Sequence, residues 1–404
     1  MPAILEGLRV ISWTVGATGP MAATILGDMG ADVIKVEDPR SGDMARTLTR
    51  AQGSDLTMPS GSSLVWEKNN RNARGIAVNL KTEKGREVIY RLVENADALI
   101  QNYRAGVAER VGMDYTTLSG INPKLVYASS TGFGPKGPHV NRPNLDTITL
   151  AASGNMTLQG GSDGEPISQS GIADQAGAIW LAFGVVSGLL ARERLGIGQE
   201  VSSSGLGAMI NLQSFAVLNR TVTGNGPDRR GRSDAANPLV NWYKCKDGKW
   251  IVLALAHADR YWPVFCRATD LTELEHDPRF ENTPARERNR KQLIAILDAR
   301  FATRRYEEWD RKFQDTGDLI YTRVNDIEDL ENDPQVLAND YITEWDHPRF
   351  GKIKVPGFPV QYSETPQSFR LAAPELGEHT EEVLLEAGYS PEEVRELESE
   401  GVIR

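Results

Sequence analysis

The chain has 404 residues, of which 40% are hydrophobic and 25% are charged, and its formal net charge is −10. This composition is typical of a globular protein with two or three domains, at about 150 residues each. The excess of acidic residues argues against general binding to nucleic acid or to an anionic membrane surface. An anionic ligand therefore needs a local basic cluster.

The cysteine, histidine and N-terminal patterns argue against several further classes. Cys245 and Cys266 form no CxxC pair and the five histidines are scattered, so neither a metal site nor a disulfide framework is predicted. The start MPAILEG lacks a basic region followed by an apolar core, which predicts no signal peptide. The longest apolar run, 176–191, is shorter than the roughly 20 residues of a membrane span. We expect a cytoplasmic protein with no membrane partner.

Strand and helix patterns alternate in the first third of the chain. Apolar strands are predicted at 8–13 and 32–37 and in the segments ADALIQN and KLVYASS, with helices at 21–30 and after the N-cap Thr82. This order predicts an α/β fold with a parallel sheet. Because ligands of such sheets bind outside the carboxyl ends of the strands, the loops that follow the strands should converge on one crevice. These loops are Thr14–Pro20, Asp38–Arg46, Asn102–Gly106 and Thr131–Pro138.

The second half changes in composition after a long apolar helix. A polar, glycine-rich loop at 223–238 is followed by a hairpin pattern with its turn at Asp247-Gly248 and by two amphipathic helix patterns. We predict a large domain over 1–220, a smaller α+β domain with linkers over 221–330, and a helical, charged C-terminal segment over 331–404.

The first strand is followed by a weak dinucleotide-binding pattern. Gly16 and Gly19 follow the strand, and Glu37 ends the next strand about 20 residues later. The spacing is not GxGxxG, and Pro20 removes a backbone N–H that could hold pyrophosphate. A tight strand-to-helix turn explains this pattern better than nicotinamide or flavin binding.

Basic residues accumulate in or beside the predicted crevice loops. Surface arginines are usually only solvated, but seven cations near one crevice of an acidic chain suggest a site for a phosphate-rich ligand. They are Arg40, Arg46, Arg71, Arg74, Arg104, Arg110 and Lys136.

Asp174 is the single carboxylate at the start of the long apolar segment. Its simplest role is the N-cap of a helix that begins near Gln175. The positive end of a helix dipole should also keep it ionised, and an ionised, partly desolvated carboxylate is a competent nucleophile toward an activated carbonyl. Asp174 is therefore the candidate nucleophile.

Several segments, in order and over nearly the whole chain, resemble the class III CoA-transferases, which are related to α-methylacyl-CoA racemase. The matching segments include LGDMGADVIKVEDPRSGDMAR, NRNARGIAVNLKTEKGRE, QNYRAGVAERVGMDY, INPKLVYASSTGFGPKGP and GIADQAGAIW. The resemblance implies a Rossmann-like large domain, a smaller α+β domain, and an interlocked homodimer.

The resemblance also implies a mechanism and a set of site residues. Asp174 matches the family's catalytic aspartate, which takes CoA from an acyl-CoA thioester and passes it to a carboxylic acid; no metal and no tightly bound cofactor is required. Val15, Gly16 and Ala17 match the loop at the CoA thiol end. Further residues match CoA contacts of the family: Asn102, Tyr103, Arg110, Lys136 and Arg74. Asp38 stands where some members have an arginine that packs on adenine, and Arg40 is expected to take over that contact. The backbone N–H groups of TGFG and TGNG are expected to hold oxyanions.

Three alternatives remain open on the sequence alone. A racemase of the same family is disfavoured because Leu145 stands where its histidine belongs. A dinucleotide-dependent oxidoreductase and a CoA-binding module without catalysis are the other two. The acids used are not predicted: Trp242, Tyr243, Tyr261 and Trp262 either shape an acyl pocket or, more simply, belong to a core.

Overall fold

The computed structural model describes residues 2–51, 53–161, 164–226 and 231–404. The chain divides into two compact units. The first comprises Met1–Thr157, Ser168–Gly226 and Asp340–Arg404, and the second comprises Leu158–Ile167 and Pro227–Asn339. Which part of the chain acts as the CoA-binding domain stays a prediction.

The strands of the described residues, in chain order, are β1 (Arg9–Trp13), β2 (Asp32–Glu37), β3 (Arg50–Ala51), β4 (Ser54–Asp55), β5 (Ala73–Ala77), β6 (Ala98–Gln101), β7 (Val126–Thr131), β8 (Gln199–Ser204), β9 (Val240–Lys244), β10 (Trp250–Ala254), β11 (Tyr321–Val324), β12 (Ile342–His347) and β13 (Gly351–Pro356).

The α-helices of the same residues are α1 (Thr18–Asp28), α2 (Leu64–Asn70), α3 (Glu83–Val93), α4 (Val107–Arg110), α5 (Tyr115–Ile121), α6 (Asp146–Ala152), α7 (Asn155–Gln159), α8 (Ile172–Leu195), α9 (Gly205–Leu212), α10 (Ser214–Thr223), α11 (Ala258–Ala268), α12 (Thr283–Arg288), α13 (Arg290–Phe301), α14 (Tyr306–Thr316), α15 (Ile327–Leu330), α16 (Pro334–Ala338), α17 (Thr380–Glu386) and α18 (Pro391–Ser399). Short 3₁₀ helices lie at Met44–Thr47, Arg232–Asp234 and Thr272–Leu274.

The first unit is built on a six-stranded sheet in the order β5-β2-β1-β6-β7-β8, and all five strand pairs are parallel. The predicted α/β fold with a parallel sheet is therefore confirmed. The predicted N-cap of α3 is confirmed as well, because the Thr82 hydroxyl accepts a hydrogen bond from the Gly85 N–H.

Both faces of this sheet are buried, which explains why its inner strands are apolar without alternation. In β1, Val10 packs in a cluster with α1 and α8, whereas Ile11 packs in a second cluster with α3 and the C-terminal helices. The C-terminal end adds to the sheet layer through an isolated antiparallel bridge between Val78 and Ile403. Residues from the two ends of the chain thus complete one core.

The strand order reverses at β1, since β2 follows on one side and β6 on the other. At such a switch point the loops after neighbouring parallel strands diverge and leave a crevice at the carboxyl edge. The loops after β1, β2 and β6 begin at Thr14, Asp38 and Asn102. These three loops therefore surround the crevice at this edge.

The second unit contains the antiparallel sheet β11-β10-β9 and helices α11 to α16. The predicted hairpin is confirmed: β9 and β10 pair antiparallel, and Gly248 in the turn has φ +85°, which favours glycine. The core of this unit is aromatic, with Phe265, Phe301 and Trp309 fully buried.

Two polar segments on either side of the second unit's core, 218–238 and 324–354, contain regular structure. Residues 218–223 belong to α10, and the second segment includes α15, α16 and most of the β12–β13 hairpin. Their polarity reflects exposed surfaces of short elements, which a composition argument does not distinguish from a linker. Residues 227–230 of the first segment lie outside the described residues.

One helix of the described residues, α8, is long and apolar enough to cross a membrane by length and composition. Half of its apolar window is buried inside the protein, as in the core helix of a globular domain. Cys245 and Cys266 are both buried and unpaired.

Candidate active site

Asp174 lies in the first turn of α8 and is not its N-cap, which corrects our expectation. The helix begins at Ile172, and Gly171 occupies the cap position with φ +83°. The cap acceptor comes from another helix: the Asp146 carboxylate of α6 accepts hydrogen bonds from the N–H groups of Gly171 (2.8 Å) and Asp174 (3.0 Å). The Asp174 carboxyl is therefore free for other contacts.

The Asp174 carboxyl is half-buried. Within the described residues it has one side-chain hydrogen-bond partner, the Thr18 hydroxyl at the start of α1, which donates to Oδ1 at 2.5 Å. Burial raises the pKa of this carboxyl above its ordinary value, and the negative charge of Asp146 adds to the rise. The Thr18 hydrogen bond and the positive charge of Lys68 oppose it. Burial therefore opposes the ionisation that the helix dipole was expected to favour.

The loop between β1 and α1 is held by two side chains from other loops. Asn102 bridges Val15 twice, accepting from its N–H (2.8 Å) and donating to its carbonyl (2.8 Å). Asp43 accepts from the N–H of Gly16 at 2.9 Å. Because these N–H groups are occupied, the loop presents few backbone donors to a pyrophosphate, which disfavours the dinucleotide interpretation.

Glycine is required at one position of this loop and at one in the first turn of α1. Gly16 has φ +77°, a conformation that other residues rarely adopt. A Cβ at Gly19 would lie 2.7 Å from the Thr14 side chain and 2.8 Å from Asn102. The two glycines therefore serve the tight turn and the close approach of α1 to the loop after β6.

A buried ion pair under the loop was missed by the sequence argument. The Lys35 ammonium lies 2.8 Å from Asp43 and donates to the Thr14 carbonyl at 2.7 Å, with 1% and 0% of the two side chains exposed. Asp43 also caps the short helix that begins at Met44. The signal in the sequence was a lysine inside an apolar strand, DVIKVE, which needs a buried partner.

A cleft of 430 Å³ opens at the carboxyl edge of the sheet, within the range of small-molecule sites, roughly 300–1,000 Å³. We call it the carboxyl-edge cleft. Its lining residues are Trp13, Thr14, Val15, Val36, Glu37, Asp38, Ser41, Gly42, Asp43, Met44, Val78, Leu80, Lys81, Tyr103 and Val111.

Two of the predicted CoA contacts, Val15 and Tyr103, line this cleft. Tyr103 stacks on Trp13 with ring centroids 4.3 Å apart, and burial next to Asp43 and Glu37 raises the pKa of its phenol. Lys81 lines the cleft directly after β5 and was not predicted. Val15 is three residues from Thr18, so the same loop joins the cleft to Asp174.

The seven predicted cations separate into two groups. Arg46 is bidentate to Glu37, and Arg71 is bidentate to Asp28. Arg74 contacts Asp32, Glu382 and Glu386 at the amino end of the sheet, because it is the second residue of β5. The structure therefore does not bring Arg71 and Arg74 to the cleft, and the role of Arg74 stays a prediction.

The other four cations are exposed and have no carboxylate within 4.0 Å among the described residues. They are Arg40 after β2, Arg104 after β6, Arg110 at the end of α4, and Lys136 after β7. All four follow carboxyl ends of strands or the adjoining helix. Of the seven predicted cations, these four have charges that remain available to phosphate groups in the described part of the chain.

The glycine-rich segments predicted to hold oxyanions use several of their N–H groups internally. The Gly134 N–H donates to the Thr131 hydroxyl, the Gly224 N–H to the Arg220 carbonyl, and the Asn225 N–H to the Thr223 hydroxyl. These three groups already have partners, and the oxyanion role of the segments stays a prediction.

The four aromatic residues considered for an acyl pocket differ in burial. Tyr243 and Trp262 are buried in the core, whereas Trp242 is exposed and Tyr261 is half-buried. Of these four aromatic side chains, only Trp242 and Tyr261 are thus available to a ligand. His257 is exposed before α11, and Leu145 is 70% exposed.

The chain was compared with known proteins. The model of CoA-transferase family III matches residues 5–380. A succinyl-CoA:glutarate CoA-transferase from Mus musculus is 33% identical over 402 residues, which cover 99% of this chain and 90% of the relative. An acetyl-CoA:oxalate CoA-transferase from Acetobacter aceti is 32% identical and covers 92% and 93%. The crystal structure of a CAIB/BAIF family protein from Brucella suis superposes with a TM-score of 0.82, at 28% identity, over 96% of this chain and 100% of that chain.

Proposed function

The chain belongs to CoA-transferase family III and is a transferase of acyl-CoA metabolism, and on that premise we propose that it moves CoA between carboxylic acids through a covalent intermediate on Asp174. The observation that carries the proposal is the Thr18–Asp174 hydrogen bond. It places a half-buried carboxylate directly after the loop that lines the carboxyl-edge cleft.

The first half of the reaction forms the covalent intermediate. A carboxylate oxygen of Asp174 attacks the acyl carbon of the donor thioester, and the C–S bond breaks to give a mixed anhydride and CoA thiolate. The thiolate then attacks the Asp174 carbonyl carbon, which releases the donor acid and leaves an aspartyl-CoA thioester. Partial burial favours this nucleophile because it limits competing attack by water.

The second half repeats these steps with the acceptor acid. The acceptor carboxylate attacks the aspartyl thioester, CoA thiolate leaves, and the thiolate attacks the acceptor's acyl carbon to regenerate the Asp174 carboxylate. A thioester is exchanged for a thioester, so the reaction is nearly balanced in free energy. Asn102 and Asp43 contribute by fixing the loop that carries Val15, Gly16 and Ala17.

The cleft and the four unpaired cations support a CoA-binding role for the carboxyl edge. Its walls include the stacked pair Trp13 and Tyr103, and Lys81 supplies a further cation. Arg40, Arg110 and Lys136 are proposed to contact the phosphates of CoA, which suit guanidinium and ammonium donors.

Trapping with hydroxylamine tests the proposal. The enzyme is incubated with succinyl-CoA or acetyl-CoA, the donors named for its relatives, and hydroxylamine. Hydroxylamine cleaves an aspartyl thioester and leaves a hydroxamate, so the peptide containing Asp174 should carry that modification by mass spectrometry. Glutarate or oxalate should compete with the trap.

The matched control is Asp114→Ala, which removes the carboxylate that caps the N-terminus of another helix, α5. Asp174→Ala should lose both labelling and transfer, whereas Asp114→Ala should keep them. Full transferase activity in Asp174→Ala contradicts the mechanism. Entry of solvent deuterium at the acyl α-carbon without any acceptor acid identifies a racemase instead.

We also propose that the active form is a homodimer. Large apolar side chains remain exposed on α8, α9 and α10, among them Phe183 (61%), Phe215 (86%) and Leu218 (61%). A groove of 630 Å³ lies along α9 and α10 and includes Ile210, Phe215 and Leu218. Contiguous exposed apolar surface of this kind typically marks an interface, and a second copy of the chain is the commonest partner.

A further inference from the structure

The ammonium of Lys68 lies on the same side of α1 as Asp174. It is 3.6 Å from the sulfur of Met21, which follows Thr18 by three residues in α1. Residues three apart in a helix occupy the same face. Because Thr18 donates to Asp174, the ammonium and the carboxyl approach neighbouring positions of one helix face.

Lys68 lacks a carboxylate partner among the described residues, unlike the neighbouring charged residues Glu67 and Arg71, which are held in ion pairs or hydrogen bonds. Glu67 is buried against His347 at 2.8 Å, and Arg71 is bidentate to Asp28. The Lys68 ammonium has no carboxylate within 4.0 Å in the part of the chain that the structure describes. Its charge is therefore not consumed by a structural ion pair.

Few other charges act on Asp174. The elements packed against α8 are α1, α6, α9, β7 and β8. Helix α6 contributes Asp146, α1 contributes the Thr18 hydroxyl, and α9 has no ionisable residue. In β7 and β8, Tyr127 and Glu200 interact with each other.

We propose that Lys68 is the positive charge that Asp174 and the acceptor carboxylate use in turn. This inference rests on the proposed covalent function. When Asp174 is a free carboxylate, the ammonium stabilises its negative charge. When Asp174 carries CoA, that charge is gone and the ammonium is left to attract the incoming carboxylate.

The charge balance of the reaction supports this role. Each half-reaction begins with one carboxylate and ends with another, and the intermediate stage carries the same negative charge on CoA thiolate. A fixed cation next to the exchange point therefore has an anion to stabilise in every chemical step, and it faces a neutral site only between release of the donor acid and binding of the acceptor. Lys68 remains accessible to solvent. Burial and the positive charge of Arg71 lower the pKa of its ammonium, and the negative charge of Asp174 opposes this shift.

Three variants test the proposal with succinyl-CoA and glutarate. Lys68→Met removes the charge, Lys68→Arg keeps it, and Lys84→Met removes a remote surface lysine that pairs with Glu396 and Glu400. Lys68→Met should raise KM for glutarate at least tenfold and move the acidic limb of the kcat/KM profile for succinyl-CoA to higher pH. Lys68→Arg should restore both quantities to within about threefold, and Lys84→Met should leave them unchanged.

The outcomes separate this inference from the proposed function. If wild-type enzyme gives no hydroxamate at Asp174, the covalent mechanism itself is wrong. If wild type is labelled but Lys68→Met keeps the wild-type KM and acidic limb, only the role of Lys68 is wrong. Equal defects in Lys68→Met and Lys68→Arg also overturn it, because they indicate packing rather than charge. If Lys68→Met does not fold, Lys68→Gln provides the same comparison at this solvent-accessible position.

Discussion

At the residue scale, the role proposed for Asp174 makes two opposed demands on its carboxyl group. A nucleophile has to be ionised, yet the burial that excludes water from its products raises the pKa of its carboxyl. The Thr18 hydroxyl and the charge of Lys68 offset part of this effect. Burial of the Asp174 carboxylate therefore costs folding stability, a trade-off that is common at functional sites.

Asp174→Asn should therefore stabilise the protein at neutral and basic pH. A carboxyl whose pKa is higher in the folded than in the unfolded state destabilises the fold as pH rises through the folded pKa. The amide removes this effect and can still accept the Thr18 hydrogen bond. Each tenfold difference in proton affinity between the two states is worth about 1.4 kcal/mol.

Thermal unfolding at pH 8 and pH 4 measures the effect. Tm of Asp174→Asn should exceed that of wild type at pH 8, and the difference should shrink at pH 4, where the unfolded carboxyl begins to be protonated. Transfer activity should be lost at both values. A Tm gain that is equal at both pH values contradicts burial as its cause.

At the element scale, the first turn of α8 depends on a contact that spans 28 residues. Asp146 lies in α6 and accepts hydrogen bonds from the backbone of Gly171 and Asp174. Local capping rules look for the acceptor at the cap position itself, where this chain has Gly171. These hydrogen bonds fix the backbone of Asp174, the proposed nucleophile, to a neighbouring helix.

Asp146→Ala should loosen this turn and impair the reaction. Loss of a cap acceptor costs about 1–2 kcal/mol of stability. Asp114→Ala removes the cap of α5, where Asp114 accepts from the Thr117 N–H at 3.0 Å, and should cost a similar amount. Only Asp146→Ala should lower the rate of hydroxamate formation, by at least tenfold. Equal rates in the two variants would show that the cap serves stability alone.

Features that depend on interactions between neighbouring residues could be predicted from the sequence, whereas features that depend on distant residues could not. The strands 32–37 and the Thr82 cap depend on neighbouring residues and were predicted correctly. The Lys35–Asp43 pair was not predicted, although the two residues are only eight positions apart. A lysine inside an apolar strand signals a buried partner, but it does not identify which nearby acidic residue that partner is. Arg74 forms ion pairs with carboxylates that are distant in the sequence, whereas Arg40 forms none among the described residues. The order of the motifs along the chain therefore could not show which of the two arginines is free to bind a ligand.

At the scale of the whole molecule, the positively charged residues fall into two groups, those in structural ion pairs and those that are exposed without a partner among the described residues. Many cations of the first unit serve as structural partners, as Arg71 does for Asp28 and Arg192 for Asp97. The exposed cations after the parallel strands keep their charge free within the described residues. In a chain with a net charge of −10, these few residues are where an anionic ligand gains the most from charge-assisted contacts.

The apolar surface of α8 to α10 makes the oligomeric state a measurable consequence of the fold. Wild type should have the mass of two chains in light scattering after gel filtration. Phe215→Asp places a charge on the most exposed aromatic of this surface and should shift the mass toward one chain.

Ile327→Asp is the matched control, because Ile327 is 82% exposed on α15 and lies outside α8 to α10. It should leave the mass unchanged. A monomeric wild type contradicts the proposed homodimer, whereas a Phe215→Asp protein that keeps the mass of two chains places the interface elsewhere. Because a second copy would cover residues of the helix that begins beside Asp174, loss of the dimer should also lower the rate of hydroxamate formation in Phe215→Asp and not in Ile327→Asp.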